Sequence, residues 1–280
     1  MITMAGAFVA LSTLCAKTVG VAENAISPVQ VTFGRFAFGL LGLMVALPFI
    51  RPVFSNPNWG LHAGRVTCGV TGVMAMFTAA TIIPLVDATA ISFTNPIFAM
   101  LLAIPLLHER IGPIRWGTAF MALLGALLLI RPGTSSFQPS ALIALYAALA
   151  FGLEVVLLKK LSVREGAFQI ILIANIAGTI VAGLVSIAIW VQPTAFQWML
   201  LAATGLTMVC AQAFYTTALR LADASFVLPF SYATLLFAAL YDYAFFGVIP
   251  IAASLLGGGL ILVSGIILGW REGRAKRMAT

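Results

Sequence analysis

Apolar residues in this chain come in long unbroken runs, without the alternation of a half-buried strand or the striping of a surface helix. A helix that crosses the hydrocarbon core of a bilayer needs about 20 mainly apolar residues. Reading between the charges and the Pro/Gly breaks gives ten such runs. Five lie at about 2–19, 29–50, 62–83, 88–107 and 114–131, and five more at about 140–158, 167–190, 196–219, 224–246 and 250–270. Hydrocarbon offers backbone N–H and C=O groups no partner, so spanning segments must bond internally, as helices do. A membrane barrel would alternate over about ten residues, and these runs stay apolar for about twice that length. The expectation is an all-α polytopic membrane protein with the lipid bilayer as its surroundings.

Composition agrees with this: 62% of the 280 residues are hydrophobic and 8% charged, too few polar groups to clothe a water-soluble core. The net charge of +7 suggests a nucleic-acid partner until the cations are placed in separate loops. With the N-terminus inside, the cytoplasmic segments receive Arg51, Arg65, Arg110, Arg115, Lys159, Lys160, Arg164, Arg220, Arg271, Arg274, Lys276 and Arg277. Lys17 and Arg131 fall outside, and Arg35 lies within a span. Short Lys/Arg-rich loops stay in the cytoplasm, so both termini are expected there. Met1 leads straight into an apolar run with no basic n-region, which argues that the first run is retained as a membrane helix. Cys15, Cys68 and Cys210 lie in apolar runs without metal-ligand spacing and are expected to pack inertly.

The ten runs divide into two similar sets. Asp87-Ala88-Thr89 opens the fourth and Asp223-Ala224-Ser225 the ninth. Gly117 and Gly125 in the fifth have the same separation as Gly257 and Gly265 in the tenth. A cationic segment follows the first run of each set, at Lys17 and at Lys159-Lys160. Five is odd, so the second set must sit upside down relative to the first. The organisation expected is residues 1–135 as one five-helix repeat, 136–271 as its inverted copy, and 272–280 as a basic tail. Inverted repeats are a signature of secondary transporters, whose sites lie near the midplane between the halves.

Phe93-Thr94-Asn95-Pro96-Ile97-Phe98, Leu106-Leu107-His108-Glu109-Arg110, Gly117 and the Gly125-Ala126-Leu127-Leu128-Leu129-Ile130 tail resemble the EamA-type repeat of the drug/metabolite transporter superfamily. Arg35, early in the second run, also matches a position where that family often has Arg. The resemblance covers nearly the whole chain as two copies and is closest to the YddG-type exporters of aromatic and other amino acids. It implies a multi-pass carrier of the bacterial inner membrane that exports amino acids or similar small metabolites by alternating access. A drug or nucleotide-sugar carrier is the alternative within the superfamily. The second copy departs from the pattern: Pro229 precedes Ser231-Tyr232, and Phe245-Phe246 stand where Glu-Arg would.

Polar stripes on apolar helices mark either a helix–helix seam or a water-filled path. Thr67, Thr71, Met74, Thr78 and Thr81 share one face of the third run, with Phe77 beside it. Thr204, Met208, Gln212 and Tyr215 share a face of the eighth. Thr89, Ser92 and Asn95 in the fourth and Ser231, Tyr232 and Thr234 in the ninth complete a candidate path, with Tyr146 as a further wall. Met and Tyr walls suit amphipathic solutes and loose selectivity. Pro96 and Pro229 each remove a helix hydrogen bond and are candidate kinks. Arg35, Glu154 and Asp242 are the ionisable groups inside runs, each near an interface, which leaves structural and transport roles both open.

The first run has no acidic residue at its middle, where the small multidrug antiporters of the same superfamily use a Glu, so flux is expected to follow the solute gradient. Glu109-Arg110 is expected to anchor a cytoplasmic helix end. His62 and His108 lie near span ends with no HExxH, nucleophile elbow or P-loop, which argues against an enzyme and against a metal or other cofactor. A channel or a membrane scaffold is the remaining reading from another class.

Overall fold

The computed structural model describes all residues except 22–25, 83–90, 131–140, 248–251 and 280. Within helices it also leaves out the side chains of 20–21, 74, 77–78, 80–82, 129–130, 141, 242, 246, 252–254 and 272–279. The regular elements among the described residues are all helices, with no strand. In chain order the helices are α1 (Ile2–Val21), α2 (Pro28–Ile50), α3 (Trp59–Ile82), α4 (Asn95–Leu107), α5 (Pro113–Ile130) and α6 (Ala141–Arg164). Then follow α7 (Ala167–Ile187), α8 (Ala195–Leu221), the short α9 (Ala224–Val227), a 3₁₀ stretch (Leu228–Tyr232), α10 (Ala233–Phe246) and α11 (Ala252–Ala279).

Local chemistry sets the ends. Ser27 caps α2 by accepting from the Gln30 N–H at 3.2 Å, and Pro28 fills the first turn, where its missing N–H costs nothing. Thr194 and Gln197 close a capping box at the start of α8. Arg51 and His108 turn left-handed to finish α2 and α4.

Among the described residues, six segments are long and apolar enough to cross a membrane: Ile2–Val19, Pro28–Ile50, Leu142–Arg164, Ala167–Ile187, Ala195–Leu221 and Ala224–Phe245. Asn95–Leu107, Pro113–Leu128 and Leu255–Arg271 are shorter apolar helices. The helices overrun the expected ends where charge appears: α6 continues through Lys159 and Lys160 to Arg164, and α11 runs through the basic tail to Ala279. Lys, Arg, Glu and Ala are good helix formers, so charge ends burial in lipid without ending the helix.

Many large apolar side chains point outward, while alanines fill much of the interior and let helices approach closely. Ile176, Ile180, Leu184 and Ile187 form an exposed stripe on α7, whereas Ala99, Ala103, Ala119, Ala122, Ala126 and Ala148 are fully buried. Packing follows a reciprocal plan. α1 lies against α8 and α10, while α6 lies against α3 and α4; α2 meets α7, and α5 meets α11. Backbone meets backbone at several crossings, among them those at Gly205 and Gly125. A Cβ added at Gly205 would sit 2.7 Å from the Gly39 N and 2.8 Å from the Arg35 O. One added at Gly125 would sit 2.5 Å from the Gly257 O.

Candidate functional site

Three charged side chains from three helices converge inside the bundle. Arg65, on the second turn of α3, is 7% exposed, and its Nε lies 3.5 Å from the Glu154 Oε1 of α6. One turn further along α3, a Cβ on Gly69 would be 3.4 Å from the Glu154 Oε2, so bare backbone passes beside the carboxylate. Arg35 of α2 places its guanidinium carbon 4.4 Å from the centre of the Phe36 ring. The Glu154 charge reaches both arginines. Among the described residues, Arg65 Nε and Nη1 and Arg35 Nε are buried without a hydrogen-bond partner.

Arg65, counted from sequence among the cytoplasmic cations, lies three residues inside the expected third run, and the phase of α3 turns it into the bundle against α6. Arg35, expected near an interface, has its Nε buried.

A layer of amides adjoins the charges. Asn175 Nδ2 of α7 donates to the Gln212 Oε1 of α8 at 3.1 Å and to its own helix at Ile171 O, 2.8 Å away. A Cβ on Gly39 would lie 2.7 Å from Asn175 Oδ1, so α2 closes directly over this pair. Met208 and Tyr215 flank Gln212 along α8, all three half-buried, and Tyr215 is in electrostatic reach of Arg65 and Glu154. Thr204, by contrast, donates to its own helix at Leu200 O, and its carbonyl accepts from Ser12 of α1 at 3.0 Å, so it is a seam residue. Asn175 was missed from sequence, although an amide at the middle of a 21-residue apolar helix was the signal.

The fourth and ninth runs are broken rather than kinked. Residues 91–92 are helical, Phe93 and Thr94 form a turn, and α4 restarts at Asn95 with Pro96 in its first turn. Pro229 sits in the first turn of the 3₁₀ stretch between α9 and α10. Proline is tolerated at a helix start because that N–H has no partner in any case. Hydroxyl and amide groups at the breaks bond nearby backbone: Asn95 Nδ2 to Ser92 O at 2.9 Å and Ser231 Oγ to Leu228 O at 2.7 Å. Tyr232 is fully buried, and its hydroxyl donates to Phe93 O at 2.7 Å while the two rings stack, centroids 6.1 Å apart.

Tyr146 stands apart from all these residues. It lies with Leu142, Leu145 and Leu149 on an exposed face of α6. Met74, Phe77 and Thr78 of α3 and Asp242 of α10 have side chains outside the described residues, as do Thr81, Thr89 and Asp87.

One end of the bundle is fastened by two polar clusters. Glu109, after α4, accepts from the Ala224 N–H at 2.7 Å and from the N–H and hydroxyl of Ser225 at 3.0 and 2.6 Å. It anchors a helix end as expected, but the end is the start of α9 in the other half. Arg115 Nη1 donates to Asp223 Oδ2 at 3.0 Å and to Ser225 Oγ at 2.8 Å. Lys159 Nζ donates to Leu219 O and, at 2.6 Å, to Ala222 O. In the second cluster Glu165, 3% exposed, meets His62 Nε2 at 2.8 Å, Gln169 Nε2 at 2.7 Å and the Asn58 N–H at 2.8 Å. Among the described residues no group of three or more His, Cys, Asp or Glu could hold a metal ion.

Apolar helices with small-residue seams, two broken helices joined at their breaks and two buried arginines beside a part-exposed glutamate define a multi-pass α-helical membrane protein built around a polar interior. The chain belongs to the EamA-like transporter family, which matches residues 1–131 and, a second time, 138–270. It is similar to an S-adenosylmethionine uptake transporter of Rickettsia prowazekii, 26% identical over 247 residues that cover 87% of this chain and 83% of that protein. A riboflavin transporter of Rhizobium johnstonii is 29% identical, covering 89% and 83%. A pseudopaline exporter of Pseudomonas aeruginosa is 27% identical, covering 88% of both. A crystal structure with 19% sequence identity superposes on 98% of this chain and 97% of its own, with a TM-score of 0.83, and shares the fold.

Proposed function

We propose that this transporter is a secondary carrier of the bacterial inner membrane, exporting neutral amino acids, aromatic ones included, or similar small metabolites by alternating access. The observation that carries the reading is the contact of Tyr232 with Phe93, which joins the breaks of two interrupted helices from opposite halves. Discontinuous helices meeting between repeats are where secondary transporters of this kind build their sites. The reciprocal packing supports an inverted repeat of residues 1–135 and 136–271: exchanging the halves turns α1 against α8 into α6 against α3, and α1 against α10 into α6 against α4. The distribution of cations between the connecting segments supports cytoplasmic termini. Rocking one half against the other would expose the polar interior to each side in turn, driven by the solute gradient.

The test is counterflow in proteoliposomes. Vesicles preloaded with unlabelled phenylalanine, leucine or methionine should accumulate the labelled compound transiently. Relatives named for uptake and for export both occur, so both orientations of the gradient are measured. S-adenosylmethionine and riboflavin serve as comparison solutes. A channel would equilibrate without overshoot, and a scaffold would move nothing.

A further inference from the structure

The buried arginines are left with more donors than the fold uses. A charged guanidinium in hydrocarbon is costly, and membrane proteins retain such groups where they pair with one another or line a polar path. Arginine carries five N–H donors in a rigid fork and keeps its charge. Here the Arg65–Glu154 pair is wide, at 3.5 Å, and leaves Arg65 Nε and Nη1 without a hydrogen bond among the described residues. Arg35 Nε is in the same position. A bridge serving only stability would have its lone pairs and protons matched, because an unmatched buried donor loses the water it gave up. The Glu154 side chain remains 29% exposed while that of Arg65 is 8% exposed, so the carboxylate opens onto accessible space and the arginine backs it.

Arg65 pairs with one carboxylate, Glu154, whose charge also reaches Arg35, an excess of one positive charge with orphan donors. That arrangement seats an anion of carboxylate shape, which accepts two parallel N–H bonds from an arginine fork. Glu154 offers its free oxygen to a cation beside it. Gln212, Asn175 and Tyr215 continue the polar surface away from the charges. We infer that Arg35, Arg65 and Glu154 form the binding site for the charged end of a zwitterionic substrate, the α-carboxylate held by the arginines and the α-ammonium by Glu154. This rests on the carrier reading above and names the substrate class for it: solutes that bear an ammonium and a carboxylate on one carbon, whatever their side chain.

The experiment measures two things on the same preparations: equilibrium binding of labelled phenylalanine to detergent-solubilised protein, and counterflow in proteoliposomes. The competitors are phenethylamine, which lacks the carboxylate, and 3-phenylpropionate, which lacks the ammonium. In the wild type each truncated analogue should compete at least about tenfold more weakly than phenylalanine, the loss of one charge-assisted contact. Arg65→Gln should weaken phenylalanine binding by about tenfold or more and abolish the preference over phenethylamine, with Arg65→Lys falling between. Glu154→Gln should abolish the preference over 3-phenylpropionate. Should either variant fail to elute as a monodisperse peak, Arg35→Gln decides, since that side chain has no described hydrogen-bond partner at Nε to leave stranded. Wild-type protein that binds phenylalanine and phenethylamine alike overturns the site, as do folded variants with unchanged selectivity. Arg-dependent binding without counterflow keeps the site and removes the carrier reading; counterflow without Arg dependence does the reverse. Absence of both binding and counterflow overturns both.

Discussion

The Tyr232 hydroxyl donates to the Phe93 carbonyl oxygen at 2.7 Å, across the line where the two halves of the chain meet. The carbonyl belongs to a turn that interrupts one helix, and the phenol to a 3₁₀ stretch that interrupts another. Each break frees backbone groups, and this bond satisfies one of them with a side chain from the opposite half.

Tyr232→Phe keeps the stacked ring and removes the hydroxyl alone. The part-buried Phe93 carbonyl would lose its partner, at a cost of about 0.5–1.5 kcal/mol. Thermal unfolding of the purified variant should show that loss, with counterflow rate changed and protein yield retained. An unchanged midpoint would mean that the contact contributes nothing.

Glu109→Gln tests the fastened end. The carboxylate holds two N–H groups and a hydroxyl at the start of α9, and charge-assisted caps of this kind contribute about 1–2 kcal/mol. The substitution should loosen the contact among α4, α6, α8 and α9. A cysteine at Ala222, whose carbonyl accepts from Lys159, should then react faster with an impermeant thiol reagent in inside-out vesicles. Equal reactivity with and without Glu109 would show that this end opens independently of the cluster.

Gly125→Leu places side-chain carbon where the Gly257 carbonyl stands 2.5 Å from even a Cβ. Backbone on both sides cannot step aside as a side-chain tip can, so α5 and α11 must separate. Overpacking of this kind costs about 1–3 kcal/mol. Gly117→Leu is the control, because a Cβ there meets nothing within 4 Å. The first should lower the unfolding midpoint and the second leave it in place.

Most of the architecture was legible in the chain because lipid imposes one rule, apolar length, and the Pro, Gly and charge breaks mark its ends. What was not legible was depth and direction. Arg65 counts as a cytoplasmic cation when only its sequence neighbours are read; the phase of α3 against α6 is what turns it onto Glu154. Thr204 and Gln212 share a stripe, yet one hydroxyl is used within its own helix while the other side chain reaches α7, a distinction that periodicity cannot make. Tyr146 has the same amphipathic chemistry as Tyr215 but lies on the opposite kind of face. Glu109 was legible as an anchor, but its partner more than a hundred residues away was not.

Orientation can be checked at two exposed positions in a background without Cys15, Cys68 and Cys210. Ser162 is unsuitable because it is fully buried, with its hydroxyl on Lys159 O at 2.8 Å, whereas Val163 is 63% exposed. Gln192, in the exposed α7–α8 connection, is its counterpart. Impermeant maleimide applied to intact cells should label Gln192→Cys and spare Val163→Cys. The reverse pattern would invert the topology.

The excess of guanidinium over carboxylate in the trio has an electrical consequence. Moving one elementary charge through 100 mV is worth about 2.3 kcal/mol, and in a carrier that field falls across whichever side is closed. Arg35 and Arg65 with Glu154 hold one net positive charge among the three, so a membrane that is negative inside biases the trio toward the arrangement open to the cytoplasm. A zwitterion adds no net charge and leaves that bias in place. Voltage would then change how long the interior faces each side, and hence the concentration needed to fill it from each, without itself driving net flux.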